Sequence, residues 1–186
     1  MNEKGEKNAD KNIDSREILD WFVHIAIAIL LAVLIVTYVG QRTIVHEISM
    51  EPTLSDGDNI IVEKLSHRFG KLKRGDIIVF KSPQDKRELV KRLVAVEGDT
   101  VEIKDGKVYV NGEMFLIGDP EDEPYTPPAL DPEQNKITIP EGYIYVLGDN
   151  RPYSLDSTEL GPIEKSRITG KAIFRVYPFN KFGEID

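Results

Sequence analysis

Two hydrophobic rhythms divide the chain. From Trp21 to Val39 it is almost wholly apolar, WFVHIAIAILLAVLIVTYV. At about 1.5 Å per residue such a helix rises roughly 28 Å, close to a bilayer core of about 30 Å. Trp21 and Tyr38 fall near its two ends, where amphipathic aromatics favour the interfaces. The run is longer than the apolar part of a secretory signal, and no small-x-small site follows it. The pattern predicts a transmembrane anchor over 21–39, with a buried core helix as the alternative. Lys4, Lys7, Lys11 and Arg16 precede the run, and only Arg42 occurs soon after it. That bias predicts a single-pass protein of the cell membrane, with residues 1–20 as a cytoplasmic tail and residues 40–186 as an extracytoplasmic domain. The tail mixes four cations with six carboxylates and shows no apolar period before Ile13.

Beyond the anchor the period shortens. Thr43–Ile48, Asn59–Glu63, Asp76–Phe80, Leu89–Val96, Thr100–Ile103, Lys107–Val110, Lys136–Ile139, Tyr143–Leu147 and Ile168–Val176 are short and rich in β-branched or aromatic residues. Turn signals such as Asp56-Gly57-Asp58, Arg74-Gly75-Asp76 and Gly98-Asp99 separate them, and Asp105-Gly106 between two such runs predicts a hairpin. The expected fold is mostly β: an N-terminal transmembrane helix followed by an all-β domain of linked antiparallel sheets, with a smaller inserted β lobe over about 101–140. Within that lobe, Gly118–Asn135 carries six carboxylates, five prolines and no Lys or Arg, and reads as an exposed irregular excursion. Glu159–Arg167 reads as a turn or a short helix.

The net charge of -8 argues against a nucleic-acid partner, which would call for a basic face. The absence of cysteine excludes disulfides, thiolate chemistry and cysteine-based zinc sites.

Candidate chemistry starts at Ser49 in Ser49-Met50-Glu51-Pro52-Thr53-Leu54, just past the apolar run; Pro52 stiffens the turn that presents it. A serine hydroxyl needs a base beside it. Three histidines are available. His24 lies in the apolar run. His46 would point away from Ser49 on an extended strand, and His67 has no acidic partner in an evident motif. Lys91, in Glu88-Leu89-Val90-Lys91-Arg92-Leu93-Val94-Ala95-Val96, is the stronger candidate. Burial among apolar neighbours would favour its neutral amine, while alternation would leave Arg92 solvated on the other side. On this stretch alone, an exposed edge lysine is the plainer reading. A third cluster, Gly148-Asp149-Asn150-Arg151-Pro152-Tyr153-Ser154-Leu155-Asp156-Ser157, has turn composition and follows a predicted strand.

These three islands, in this order after an anchor, resemble the bacterial type I signal peptidases, and the resemblance runs from the anchor to about Tyr177. It implies a serine endopeptidase that removes N-terminal signal peptides from exported preproteins, with Ser49 as nucleophile and Lys91 as general base. It implies that Ser154 orients the lysine amine and that Asp149, Asn150, Arg151 and Asp156 support the loop beside the site; Arg74–Phe80 matches a further box that looks structural. It also implies preference for small residues at the first and third positions before the cut. An extended substrate would add beside Ile44–His46 and Glu88–Lys91, with Ile44, Met50, Leu54 and Val90 as walls of shallow pockets. No metal or cofactor is required. The implied partners are preprotein signal peptides and the lipid bilayer, with no nucleic acid, and the protein is expected to act as a monomer.

Two positions depart from the family pattern. Where many members carry a serine that helps hold the oxyanion, this chain has Glu47, which when ionised cannot donate a hydrogen bond. The expectation is that Glu47 faces solvent. Where an arginine commonly pairs with the aspartate at 156, this chain has Thr158, so that ion pair is absent or replaced. Self-cleaving repressors of the SOS type share Ser-Lys chemistry, but would begin with DNA-binding helices; an anchored β domain that only binds partners would need neither Ser49 nor Lys91.

Overall fold

In the computed structural model the described residues are 15–34, 40–66, 68–70, 72–117 and 123–185. The chain divides into two units, Met1–Thr37 and Tyr38–Asp186. The first holds one helix, α1 (Ser15–Leu34), which starts among polar residues ahead of the apolar run. Among the described residues no helix is long and apolar enough to cross a membrane. This corrects the expected transmembrane anchor over 21–39 and the single-pass, cytoplasmic-tail topology that rested on it. Residues 35–39, which that span needed, and residues 1–14 of the tail lie outside the described residues. His24 Nδ1 bonds the Asp20 carbonyl one turn back, at 2.6 Å.

The second unit is built of antiparallel sheets. Its strands are β1 (Gly40–Ile44), β2 (Asn59–Glu63), β3 (Ile77–Lys81), β4 (Glu88–Val96), β5 (Thr100–Lys104), β6 (Lys107–Val110), β7 (Glu113–Met114), β8 (Lys136–Thr138), β9 (Tyr143–Leu147), β10 (Ile163–Glu164), β11 (Ile168–Tyr177) and β12 (Gly183–Glu184). The larger sheet runs β1-β2-β11-β3-β4-β9-β10, with β12 beside β11; the smaller runs β7-β6-β5-β8. The hairpin expected at Asp105-Gly106 joins β5 to β6, both residues taking the positive φ (52° and 75°) that a tight two-residue turn requires. One expected strand differs. Thr43–Ile48 was read as extended throughout, but β1 ends at Ile44; after Val45, which still exchanges backbone bonds with Gly57 and Asp58, the chain turns off the ladder toward Ser49.

The apolar runs of β3 and β4 are buried on both faces, as unbroken rather than alternating patterns favour. On β3, Ile77 and Val79 join one core cluster with Met50, Leu54, Ile60 and Val62, while Ile78 and Phe80 join another with Leu89, Leu93, Ile144 and Val146. A third cluster, with Val101, Val108, Val110 and Tyr145, packs the smaller sheet onto the larger. Because β4 is covered on both sides, the polar pair at its centre is buried too: Lys91 is 0% exposed and Arg92 6%. Arg92 is thus not the solvated partner that strand alternation suggested. It grips Asp149, just after β9, through Nε and Nη2, both at 2.8 Å, and donates from Nη1 to the Gly75 carbonyl at 2.8 Å. Such a fork is how a buried guanidinium and carboxylate offset their lost hydration.

The excursion over 118–135 is not simply solvated either. Glu123 forms an ion pair with Arg151 at 3.1 Å, with the two side chains 2% and 1% exposed. Thr126 and Ala129 are buried, and Leu130 N–H donates to the Thr158 carbonyl at 2.9 Å. Residues 118–122 lie outside the described residues.

Asp149→Ala would leave Arg92 buried without its counter-ion, and is expected to destabilise the protein by about 3–5 kcal/mol, read as a lower urea midpoint. Replacing both partners, Arg92→Met with Asp149→Leu, is expected to recover most of that loss. A double variant no more stable than Asp149→Ala would show that packing around the pair, rather than the uncompensated charge, sets the cost.

Candidate active site

Ser49 sits in a turn pinned from below and clamped from the side. Glu51 N–H bonds the Ile48 carbonyl at 3.1 Å, Leu54 N–H bonds the Met50 carbonyl at 2.8 Å, and the Glu51–Pro52 peptide is cis. Met50 and Leu54 are fully buried and root this turn in the core. From the side comes the loop after β9: Asn150 donates its backbone N–H to the Ser49 carbonyl at 3.0 Å and its Nδ2 to the Ile48 carbonyl at 3.1 Å. Gly148 allows that approach, since a Cβ there would overlap both the Ser49 carbonyl oxygen and Ser154 Oγ.

Against this clamped serine stands Lys91, whose Nζ donates to Ser49 Oγ at 2.7 Å; both residues are buried. Burial lowers the Lys91 pKa below the ordinary lysine value, and the carboxylates of Glu47, Asp156 and Asp149 oppose the shift without cancelling it. The Ser49 N–H donates to no acceptor among the described residues. His46 is exposed and makes no hydrogen bond to Ser49, and His67 lies outside the described residues. Among the described residues no group of three or more His, Asp or Glu side chains is placed to hold a metal ion.

The supporting residues divide by distance from the hydroxyl. Asp149 holds Arg92 and accepts from Thr53 Oγ1 at 2.6 Å, tying the Ser49 turn to β4 and to the loop after β9. Asp156 splits its two oxygens: Oδ2 accepts from Gly148 N–H at 2.9 Å, while Oδ1 caps the short helix α2 (Ser157–Leu160) by accepting from Thr158 N–H and Oγ1 at 3.0 and 2.9 Å. Thr158 thus supplies neutral donors where an arginine was expected. Arg151 donates to the Gly148 carbonyl, to Thr126 Oγ1 and to Glu123, so the lobe excursion props this loop from behind. Burial lowers the Arg151 pKa, and the neighbouring carboxylates, Glu123 foremost, pull it back up. Ser154 is buried close by, but its Oγ has no hydrogen-bond partner; the bond to Lys91 implied for it is not made.

A groove of about 680 Å³ opens in front of Ser49, lined by β1, the segment Val45–Glu47, Met50, and Arg87, Glu88 and Val90. Ile44, Met50 and Val90 line it, whereas Leu54 lies fully buried in the core behind it. Its two flanks are strand edges. Among the described residues β1 pairs only with β2, and β4 pairs with β9 only from Arg92 onward, leaving Glu88–Lys91 unpaired on that side. Glu47 differs from expectation. Rather than pointing to solvent, its half-exposed side chain lies with Oε2 3.7 Å from Lys91 Nζ and Oε1 3.6 Å from Arg87 Nη1. Sequence reasoning also missed Arg92, Thr53, Thr126 and Glu123 as partners of the site loop. Their signal is long-range pairing, which no local pattern carries.

The family model described as "Signal peptidase, peptidase S26" matches residues 18–177. Signal peptidase I of Bacillus licheniformis is 35% identical over 186 residues, covering 97% of this chain and 98% of that one. Signal peptidase I T of Bacillus subtilis (strain 168) is 37% identical over 185 residues, with 97% and 95% covered. Signal peptidase IB of Staphylococcus aureus (strain COL) is 33% identical, with 90% and 93% covered. A crystal structure of a signal peptidase I from Enterococcus faecalis V583 matches 54% of this chain and 96% of its own, at 33% identity and a TM-score of 0.46. By the match to the family model and to these curated relatives, the chain belongs to the signal peptidase I family, peptidase S26, and is a serine endopeptidase.

Proposed function

We propose that the protein cleaves N-terminal signal peptides from exported preproteins with a Ser49–Lys91 dyad. The observation that carries this reading is the 2.7 Å contact between a buried lysine amine and a buried serine hydroxyl beside an open groove. Neutral Lys91 takes the Ser49 proton as Oγ attacks the scissile carbonyl, forming the C–O bond. The oxyanion is held by the Ser49 N–H. The C–N bond then breaks, Lys91 returns the proton to the departing amine, and an acyl-enzyme remains. A water deprotonated by Lys91 hydrolyses the ester and restores Ser49. Asp149, Asn150, Arg151 and Asp156 act by holding the loop that clamps the Ser49 backbone, and Ser154 packs against Gly148 within it.

The substrate enters extended, using the free edges of β1 and Glu88–Lys91 for backbone hydrogen bonds, as strand addition requires. Ile44, Met50 and Val90 then face alternate side chains of the bound segment, and their closeness to Ser49 favours small residues next to the cut.

Ser49→Ala and Lys91→Ala are expected to reduce kcat/KM on a purified preprotein by at least about 10³-fold each, while leaving a folded protein by circular dichroism. Full activity in Lys91→Ala would overturn the dyad and favour a domain that only binds. The pH dependence follows from the direction of the Lys91 shift. The working form is the neutral amine, so kcat/KM should rise with pH along an acid limb whose midpoint lies below the ~10.4 of a solvated lysine. A rise continuing to that solvated value, or a limb abolished by His46→Ala, would exclude Lys91 as the base.

Stability should show the same burial. A lysine with a lowered native pKa binds fewer protons folded than unfolded, so its contribution improves as pH rises from the native to the unfolded midpoint. Lys91→Met is therefore expected to raise the melting temperature most at pH values below the acid limb, and least above the ~10.4 of a solvated lysine.

A further inference from the structure

Glu47 occupies a place that the proposed reaction makes hostile to a negative charge, yet the fold brings it to the lysine. It stands two residues before Ser49, between Lys91 on one side and Arg87 on the other. Arg87 is itself held by Asp85, whose Oδ2 accepts from Nε at 2.7 Å and whose Oδ1 accepts from the Arg87 N–H at 3.0 Å. The charges thus alternate along a line from the surface to the buried amine: Asp85, Arg87, Glu47, Lys91. Only Lys91 is fully buried; the Glu47 side chain is 39% exposed and Arg87 62%.

We infer that Glu47 is a positioning residue that sets the proton affinity of Lys91, and that Arg87 sets how strongly it does so. The inference rests on Lys91 being the general base. Burial alone weakens the amine as a base. An anion 3.7 Å away restores part of that affinity. Arg87, 3.6 Å from the other oxygen of the same carboxylate, holds Glu47 back from closer contact with the amine and so keeps the amine from being held permanently protonated.

Other charges face the same amine and must be counted. From the loop after β9 come Asp149 and Asp156, the first committed to Arg92 and Thr53, the second to Gly148 and the cap of α2. Arg151 in that loop is paired with Glu123. From β4 come Arg92, bound to Asp149, and Glu88, whose Oε1 accepts from Thr169 Oγ1 at 2.9 Å. His46, on the segment that carries Glu47, lines the groove and is exposed. Among the carboxylates facing Lys91 from these elements, Glu47 is the one within 4 Å of the amine. It is also partly solvated, so a substrate that fills the groove and excludes water strengthens its hold on Lys91.

The test uses two substitutions of opposite sign, read on the full chain by two independent measurements. One is the acid limb of kcat/KM on a preprotein. The other is the titration midpoint of Lys91 Nζ followed by NMR of lysine-labelled protein, assigned by its loss in Lys91→Met. Glu47→Gln keeps the shape but removes the anion, and should move both midpoints down by about half to one pH unit, the scale of one partly exposed charge at this distance. Arg87→Gln removes the competing cation, and should move both up. In the double variant Glu47→Gln, Arg87→Gln, the upward effect of Arg87→Gln should largely vanish, because it acts through Glu47. Midpoints unmoved in Glu47→Gln, or moved in the same direction by both substitutions, overturn the inference while leaving the dyad standing. An NMR midpoint that shifts while the kinetic limb stays fixed removes Lys91 as the base, and the inference with it.

Discussion

The structure depends on keeping one amine out of water. A lysine that is 0% exposed at the centre of a nine-residue strand is an expensive feature, and most of the surrounding architecture follows from accommodating it. Both faces of β4 must be covered: Leu89 and Leu93 pack into one core cluster, Val94 and Ala95 into another, and the Ser49 turn stands against Lys91. The neighbouring guanidinium is carried inside with it and needs its own forked carboxylate, Asp149. That pairing in turn fixes the loop after β9 against the Ser49 backbone. Burial of Lys91 and immobilisation of Ser49 are therefore one problem in packing.

The loop from Gly148 to Asp156 is where the two sheets meet this problem. It receives Arg92 from the larger sheet, Glu123 and Thr126 from the excursion of the smaller lobe, and the capped end of α2. Backbone-directed hydrogen bonds, hydroxyl contacts from Thr53 and Thr126 and two buried ion pairs all converge on it, so the loop has little freedom to shift relative to Ser49. The smaller lobe thus contributes to the site without reaching it, as a brace behind the loop.

How much of this was legible in the sequence depended on how local the signal was. Strands with dense β-branched or aromatic runs, such as Asn59–Glu63, Lys107–Val110 and Tyr143–Leu147, have the bounds their sequence implies, because composition and the turn residues that flank them are local signals. The two-residue pairings β7, β10 and β12 were not, since so short a ladder is dictated by what lies beside it. Val45–Ile48 has strand composition but serves as a lead-in to the Ser49 turn. The apolar run at 21–39 argues for a span by its length, but among the described residues no helix is long and apolar enough to cross a membrane. Within the site, Ser49 and Lys91 were visible through motif order. The burial of Arg92 was not, because its partner lies 57 residues away. Nor was the inward turn of Glu47, because the side of a departing strand that a residue takes is settled by its neighbours in space.

The free edges of β1 and the first half of β4 have a cost outside catalysis. Unpaired backbone along a groove is a template for any extended chain, including another copy of the same protein in a crowded compartment. The rim carries features that discourage such pairing: Arg42 on β1, held by Asn59, and Arg87 and Glu88 at the mouth of β4. A second copy docking edge to edge would have to desolvate these charges at the rim. Charged side chains at the groove mouth thus weigh against edge-to-edge pairing along the same open backbone that an added strand would use.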